Sequence, residues 1–323
     1  MTGSVSKEDG GDALVAARVK QLLSTLERDG VALASDLMSP EDATALTERC
    51  QALLEREALP FDEYVKKNRG ATDYNLVNYK SKDWTIVTDF LGSDPVVDAS
   101  MERLVQNDVV RGVLQSVMGE GYKLRQVNIR RHDAGSKGQS LHQDGRGGLG
   151  MSIITSDTPG PEGATVFLPG SHRWPIQYSD FGVDLKTRPL RRWLTSASGK
   201  AGTVAFWYRR TWHGRFPGAD PRTAMFWSFW GQGATYQRHD PPESILDAVG
   251  PELRRLMDTG AGVKRLENGK AQVLDAPEKP DPELARLLFG KNEATTLSPW
   301  RLVSGMAQVR RRAIAGVRSV RNR

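Results

Sequence analysis

Near the N-terminus, Leu14, Val15, Val19, Leu22, Leu23 and Leu26 fall on one stripe at helical spacing, which predicts a helix over about 12–28. Gly30 stops it, and the run Val-Ala-Leu-Ala-Ser-Asp-Leu over 31–37 reads as a strand. Ser39-Pro40-Glu41-Asp42 then supplies an N-cap, a proline suited to a first turn and early acids, which open a helix running to about Glu57. Residues 59–98 mix Pro, Gly, Asp and Lys with aromatics and read as a long irregular connection. A further helix is predicted over 100–118, ended by Gly119 and Gly121.

From Tyr122 to Trp230 the pattern changes to short β-type runs between Gly and Pro punctuation, at 123–130, 149–155, 164–168, 203–207 and 223–229. Short strands at this density point to a β-sandwich or jelly roll rather than alternating βαβ units. Helical pieces follow at about 243–258, 282–289 and 298–320. The plan is mainly β with flanking helices, in one domain over 1–323. Within it, 1–120 forms a helical support, 121–235 a jelly-roll core with the functional site, and 236–323 a helical extension.

Composition narrows the class. The chain has 323 residues, with 38% hydrophobic and 26% charged positions, as in soluble globular proteins. No apolar run approaches the length of a bilayer span. Lys7, Glu8 and Asp9 stand where a signal peptide would need its apolar stretch, so the expected location is cytoplasmic. The single cysteine, Cys50, cannot form an internal disulfide.

The net charge of +6 sits in a tail: seven arginines and no acid occupy 301–323, and subtracting those seven leaves −1 for residues 1–300. A nucleic-acid-binding domain would spread its basic footprint over a folded face, so no nucleic-acid partner is expected. In the tail, Leu302, Met306, Val309, Ala313, Val317 and Val320 form an apolar stripe opposite the arginines. The expectation is that this stripe packs on the body. The alternative is weak peripheral association with an anionic membrane surface.

The chemistry centres on His142-Gln143-Asp144. Side chains at i and i+2 of a strand share a face, so His142 and Asp144 can converge while Gln143 turns away. About seventy residues later comes Thr211-Trp212-His213-Gly214, just after the apolar run 203–207. If a jelly roll brings His213 beside the first pair, two imidazoles and a carboxylate occupy one face of a metal. That is the ligand set of non-haem Fe(II) with open positions. A closed structural zinc site would ordinarily draw on several cysteines, which the chain lacks. Arg222, opening the last core strand, is placed to grip a carboxylate with its planar fork, or else is a surface arginine at a hairpin.

With these motifs in order, the sequence resembles the phytanoyl-CoA dioxygenase family of Fe(II)/2-oxoglutarate oxygenases. The matching pieces are Gln139-Ser-Leu-His-Gln-Asp144, Gly163-Ala-Thr-Val-Phe-Leu-Pro-Gly-Ser-His172, and Gly202-Thr-Val-Ala-Phe-Trp207 leading to Trp212-His-Gly214 and Arg222. Arg28-Asp-Gly-Val31 and the Ser39-Pro40 helix fit the family's opening, and the resemblance spans roughly 20–232.

It implies a double-stranded β-helix with His142, Asp144 and His213 as catalytic metal ligands and Arg222 on the distal carboxylate of 2-oxoglutarate. It further implies Fe(II) as metal, 2-oxoglutarate and O2 as co-substrates, and succinate and CO2 as products. The implied reaction is hydroxylation of an aliphatic C–H in a small-molecule, lipid or sugar-containing substrate. Asp144 favours hydroxylation, because related halogenating enzymes lack that carboxylate. The alternatives are a non-catalytic jelly-roll binding module, or a same-fold oxygenase performing desaturation, cyclisation or epimerisation.

Two departures from the family pattern stand out. The interval from His213 to Arg222 is a residue or two shorter than is common. Secondly, Arg215 occupies the position where many members carry a Ser that touches 2-oxoglutarate, with Ser152 and Arg130 as candidate substitutes. His172 is read as structural or pocket-lining and His132 as a surface residue. Trp207, Trp212, Trp227 and Trp230 are read as packing, with Trp212 adjoining the pocket.

Overall fold

A computed structural model describes residues 7–60, 63, 79–80, 83–88, 90–144, 148–174, 191–231, 241, 243–258, 263–265 and 271–273. The N-terminal elements follow their local signals. Helix α1 (Lys7–Asp29) ends at Gly30, whose φ of 78° belongs to the left-handed region. Strand β1 (Val31–Ala34) leads to α2 (Pro40–Glu57), capped by the Ser39 hydroxyl accepting from the Asp42 amide at 3.0 Å.

The segment expected to be an irregular connection contains strands. These are β2 (Leu59–Pro60), β3 (Tyr79–Lys80) and β4 (Trp84–Thr88). The β-branched run of β4 pairs antiparallel with β5 (Lys123–His132) over five residues, so a neighbour distant in sequence sets its conformation. The helix expected over 100–118 is two helices, α3 (Pro95–Gln106) and α4 (Asp108–Met118). Asn107 breaks them. Its amide donates to the Leu104 carbonyl at 3.2 Å, while its side-chain oxygen accepts from the Val109 amide at 3.0 Å.

Two sheets form the core. The larger has the order β1-β10-β7-β12-β5-β4-β3-β2, with β7 (Leu149–Ile154), β10 (Val204–Tyr208) and β12 (Arg222–Trp230) at its centre. The smaller has the order β6-β11-β8-β9, from β6 (Gln139–His142), β8 (Thr165–Phe167), β9 (Thr195–Ser196) and β11 (His213–Arg215). All pairings are antiparallel except β2 with β3. This is the jelly-roll core with flanking helices that the strand pattern predicts.

Period-2 alternation divides the larger sheet. Met225, Trp227 and Phe229 of β12, Leu149, Met151 and Ile153 of β7, and Leu124, Val127 and Ile129 of β5 pack against the helices in one buried cluster. The opposite face looks into the roll. There Val31, Ile154, Phe167, Ala205 and Trp207 form a second cluster joining the two sheets. Gly150 makes room for it, because a Cβ on that glycine would lie 2.3 Å from the Trp207 ring.

The helix expected over 243–258 is also divided, into α5 (Glu243–Ala248) and α6 (Pro251–Met257). The Glu102 carboxylate accepts from the Glu252 and Leu253 amides at 2.9 and 2.8 Å, which caps α6 against α3. A hairpin of β13 (Val263–Arg265) and β14 (Ala271–Val273) lies in a region read as helical. The helices expected over 282–289 and 298–320 lie outside the described residues. Among the described residues no helix is long and apolar enough to cross a membrane.

Candidate metal centre

Strands β6 and β11 are direct neighbours, and their register pairs His142 with His213. The imidazole centroids lie 4.3 Å apart. Asp144 completes the group: Oδ1 lies 3.7 Å from His142 Nε2, and Oδ2 lies 3.4 Å from His213 Nε2. One ligand atom from each residue falls within 4.8 Å of the other two.

Each imidazole is turned by its own strand. His142 Nδ1 lies 2.9 Å from the Ser140 carbonyl and His213 Nδ1 lies 2.9 Å from the Thr211 carbonyl. A carbonyl can only accept, so each Nδ1 carries a proton and Nε2 is the ring nitrogen turned to the Asp144 carboxylate. Metal-ligating histidines are commonly oriented in this way. Gly214 lets the strands approach, since a Cβ there would lie 2.6 Å from the Gln139 carbonyl oxygen.

Asp144 reaches the group differently from the expected shared strand face. Strand β6 ends at His142, and Gln143 is buried, with its amide nitrogen donating to the Arg210 carbonyl. The Asp144 amide donates to the Arg209 carbonyl at 3.0 Å, and the Arg209 guanidinium donates back to the Asp144 carbonyl at 2.6 Å. The loop between β10 and β11 therefore positions the carboxylate. Sequence reading passed over Arg209-Arg210, although a charged pair between an apolar strand and a site histidine was a visible signal.

The electrostatics suit metal ligation. Burial pushes the His142 imidazole down from its ordinary value, and the neighbouring His213 adds to this, so His142 is held neutral. Burial acts to raise the Asp144 carboxyl, but His213, Arg209 and His142 outweigh it and hold the group well below the usual carboxylate range. Ligation needs deprotonated donors, which the lowered His142 and the ionised Asp144 supply. Among the described residues no fourth His, Cys, Asp or Glu joins the group, which leaves coordination positions for non-protein ligands.

Residues of both sheets line a small cavity. Arg130, Ser152 and Arg222 all line it. Arg130 lies over the Trp84 and Phe226 rings, with 4.9 and 5.4 Å from its guanidinium carbon to the centroids. Ser152 is buried on β7, opposite Ala205 and Phe226. Arg222 Nη1 donates to the Asp157 carbonyl at 2.7 Å. The short interval after His213 is thus accommodated: residues 216–221 cross between the sheets and still bring Arg222 to the cavity.

Two further residues line the same cavity, His132 and Arg215. His132 is not the surface residue expected. Burial, with Arg215 and Arg130 beside it, pushes its pKa down to about 2. Arg215 is also lowered, to about 10, by burial first and by Arg130 second.

Trp207 packs as expected, whereas Trp212 does not line the cavity. Trp212 packs on the outer side of the smaller sheet with Leu141, Val166 and Phe216. Trp207 faces inward, its ring centroid 5.8 Å from that of His213. His172 is structural: its ring stacks on Tyr208 at 5.3 Å, and Nε2 lies 3.2 Å from the Glu27 carbonyl. Its neighbour Ser171 supports the metal-facing strand. The buried hydroxyl accepts from the Trp212 amide at 2.9 Å and donates to the Leu168 carbonyl at 2.6 Å.

Residues 26–224 match the family model described as phytanoyl-CoA dioxygenase (PhyH). The chain belongs to this family. Membership bears out the expected enzyme class, the 2-oxoglutarate-dependent dioxygenases, with iron and 2-oxoglutarate as the class's cofactor and co-substrate. A curated relative, "Dioxygenase swnH1" of Metarhizium robertsii, is 26% identical over 189 residues, covering 49% of this chain. The matched part spans 56% of that relative's length.

Among solved structures, the epimerase SnoN in complex with Fe3+, alpha ketoglutarate and nogalamycin RO aligns with a TM-score of 0.54 at 18% identity. The alignment covers 82% of this chain and 96% of SnoN. EctD from S. alaskensis in its apoform aligns with a TM-score of 0.51 at 19% identity, covering 66% and 76%. At these identities the likeness establishes the shared fold.

Proposed function

We propose that this chain is an Fe(II)/2-oxoglutarate-dependent oxygenase that hydroxylates an aliphatic C–H of a small-molecule, lipid or sugar-containing substrate, releasing succinate and CO2. One observation carries the reading. Two imidazoles and one ionised carboxylate converge within 4.8 Å, and Arg215, two residues beyond His213, lines a cavity together with Arg130 and Arg222. In this reading His142, Asp144 and His213 hold the iron, while Arg222, with Arg130 and Ser152, holds the far carboxylate of 2-oxoglutarate. Residues 121–235 form the working core, and residues 1–120 support it.

When bound, iron with 2-oxoglutarate and O2 supplies the oxidising power for breaking a C–H bond. The chain supplies geometry and a fixed field. The Ser140 and Thr211 carbonyls keep both imidazoles in the tautomer that ligates. Arg209 holds the Asp144 backbone from behind. Arg222, anchored on the Asp157 carbonyl, presents its remaining N–H groups to a carboxylate. Trp207, Phe226 and Phe167 wall the interior with apolar surface, which excludes water and strengthens these polar contacts.

The test uses protein purified without oxygen, then given Fe(II), ascorbate, 2-oxoglutarate and air, with succinate as the readout and His213→Ala as control. Succinate formation by the wild type and its loss in the variant are expected. Failure of the Fe(II) protein both to form succinate and to bind 2-oxoglutarate would overturn the reading in favour of a binding module. With a substrate in hand, the product should gain one oxygen atom. Loss of hydrogen without oxygen gain, or inversion of a centre, would replace hydroxylation with desaturation, cyclisation or epimerisation.

A further inference from the structure

A helix leaves its last carbonyls without partners along its own axis, and at the end of α1 two distant segments supply them. The turn at 170–173 donates to the Glu27 and Arg28 carbonyls through Arg173, and to the Asp29 carbonyl through the Gly170 amide at 2.8 Å. The loop after β10 takes the next carbonyl. Gly30 O accepts from the Tyr208 amide at 3.0 Å and from the Thr211 hydroxyl at 2.7 Å, which fills both of its lone pairs. Only a glycine allows this approach, because a Cβ at position 30 would lie 2.5 Å from the Thr211 hydroxyl oxygen.

The same loop touches two members of the metal group. The Arg209 carbonyl accepts the Asp144 amide at 3.0 Å, and the Thr211 carbonyl holds His213 Nδ1 at 2.9 Å. Thr211 thus faces two ways. Its main chain orients an imidazole, and its fully buried side chain ties that main chain to the end of α1, 181 positions earlier. The Thr211 amide donates to the Tyr208 carbonyl at 2.7 Å, so the loop moves as one tight turn. Burial alone does not call for a hydroxyl here, since the Tyr208 amide already satisfies Gly30 O. What the hydroxyl adds is a fixed position.

We propose that Thr211 is a positioning residue of the metal centre, whose hydroxyl, anchored on the Gly30 carbonyl, holds the Thr211 carbonyl where it fixes the His213 imidazole. The proposal rests on the reading above in which His142, Asp144 and His213 hold the metal. Helix α1 becomes part of the support of the centre, although it supplies no ligand. Without the anchor, the turn samples positions in which His213 Nδ1 loses its acceptor and the ring swings Nε2 away from Asp144. The apparent metal affinity then falls in proportion to the time spent in the ligating arrangement.

The test is metal binding, measured without oxygen or a 2-oxo acid and so independent of turnover. Co(II) is titrated into wild type, Thr211→Val and Thr211→Ser. The valine variant should bind about 10- to 100-fold more weakly, the range for groups that orient a ligating imidazole. The serine variant keeps the hydroxyl and should bind near the wild-type value. The second readout is the NMR signal of the imidazole Nδ1 protons, displaced by the unpaired electrons of Co(II). In Thr211→Val the His213 proton should exchange with water faster, while the His142 proton, held by the Ser140 carbonyl, is unchanged. A residue that only stabilised the fold would not separate the two histidines.

Wild-type Co(II) affinity in Thr211→Val, equal loss in the valine and serine variants, or parallel change of both proton signals overturns the proposal while the metal-centre reading stands. Thr211→Ala removes the hydroxyl without setting a methyl against the Gly30 carbonyl, and carries the same test if the valine variant does not fold. A wild type that binds no Co(II) overturns both.

Discussion

Replacing Ser171 with alanine removes a single oxygen from beneath the metal-facing strand. That oxygen accepts the Trp212 amide proton at 2.9 Å and donates to the Leu168 carbonyl at 2.6 Å, with Ser171 fully buried. The two losses are unequal. The Leu168 carbonyl still accepts from the Ser171 amide at 3.2 Å, so it remains satisfied. The Trp212 amide loses the hydroxyl that accepts it in a buried place. Leaving a buried donor unpaired costs about 1–3 kcal/mol, and this sets the magnitude for Ser171→Ala.

The assay is urea unfolding of the metal-free protein, with the midpoint compared at constant slope. A loss of about 1–3 kcal/mol is expected. Because Trp212 precedes His213, metal affinity measured by titration with Mn(II) should also fall, by up to about tenfold if half of that cost is relieved only when the ligands are free to shift. Stability within about 0.5 kcal/mol of wild type would refute the reasoning, since surface-like substitutions lie in that range. It would mean that the turn relaxes to give Trp212 another acceptor.

Gly150→Ala places a methyl 2.3 Å from the Trp207 ring, and either the ring or strand β7 must give way. A stability loss of about 1–3 kcal/mol is expected, read as a lowered Tm with displacement of the tryptophan fluorescence signal. Asp98 lies buried beside Asp94, with Oδ1 accepting from the Gly92 amide at 3.0 Å. Burial, with a contribution from Asp94, pushes its pKa up from 3.8 to about 6.

A raised carboxyl stabilises fully below its unfolded value, and that contribution is lost as pH rises through the folded one. The wild type should therefore lose stability relative to Asp98→Asn between about pH 4 and 6. By pH 7 the variant, which keeps the acceptor for Gly92, should be more stable by about 1–3 kcal/mol. A stability difference that does not change with pH would exclude a buried, raised carboxyl.

Much of the site was legible because its signals are local. The His-x-Asp pair, the distal histidine and Arg222 can be quoted from the chain; the structure gathers the first three into one group and sets Arg222 in the lining of a cavity. Gly30, Ser39 and Pro40 mark helix ends through φ, a hydroxyl acceptor and a missing amide proton, each a property of one residue and its immediate neighbours. Asn107 was missed because an asparagine inside an apolar helical stripe does not announce itself as a break. Only the amides it caps reveal that two helices meet there.

What the sequence determined by itself was the alternation of β12, the caps of the early helices, the jelly-roll class and the three residues of the candidate metal group. The tertiary structure alone decided which face each strand turns inward and which distant strand lies beside it. It made β4 a strand by pairing it with β5. It sent Trp212 outward and Trp207 inward. It held Asp144 through the carbonyl and the guanidinium of Arg209, 65 positions away. It also brought Arg215 and His132 to one cavity from separate sheets. Helical stripes and caps depend on residues a few places apart, whereas strand partners and cavity linings depend on chain segments whose separation carries no local mark.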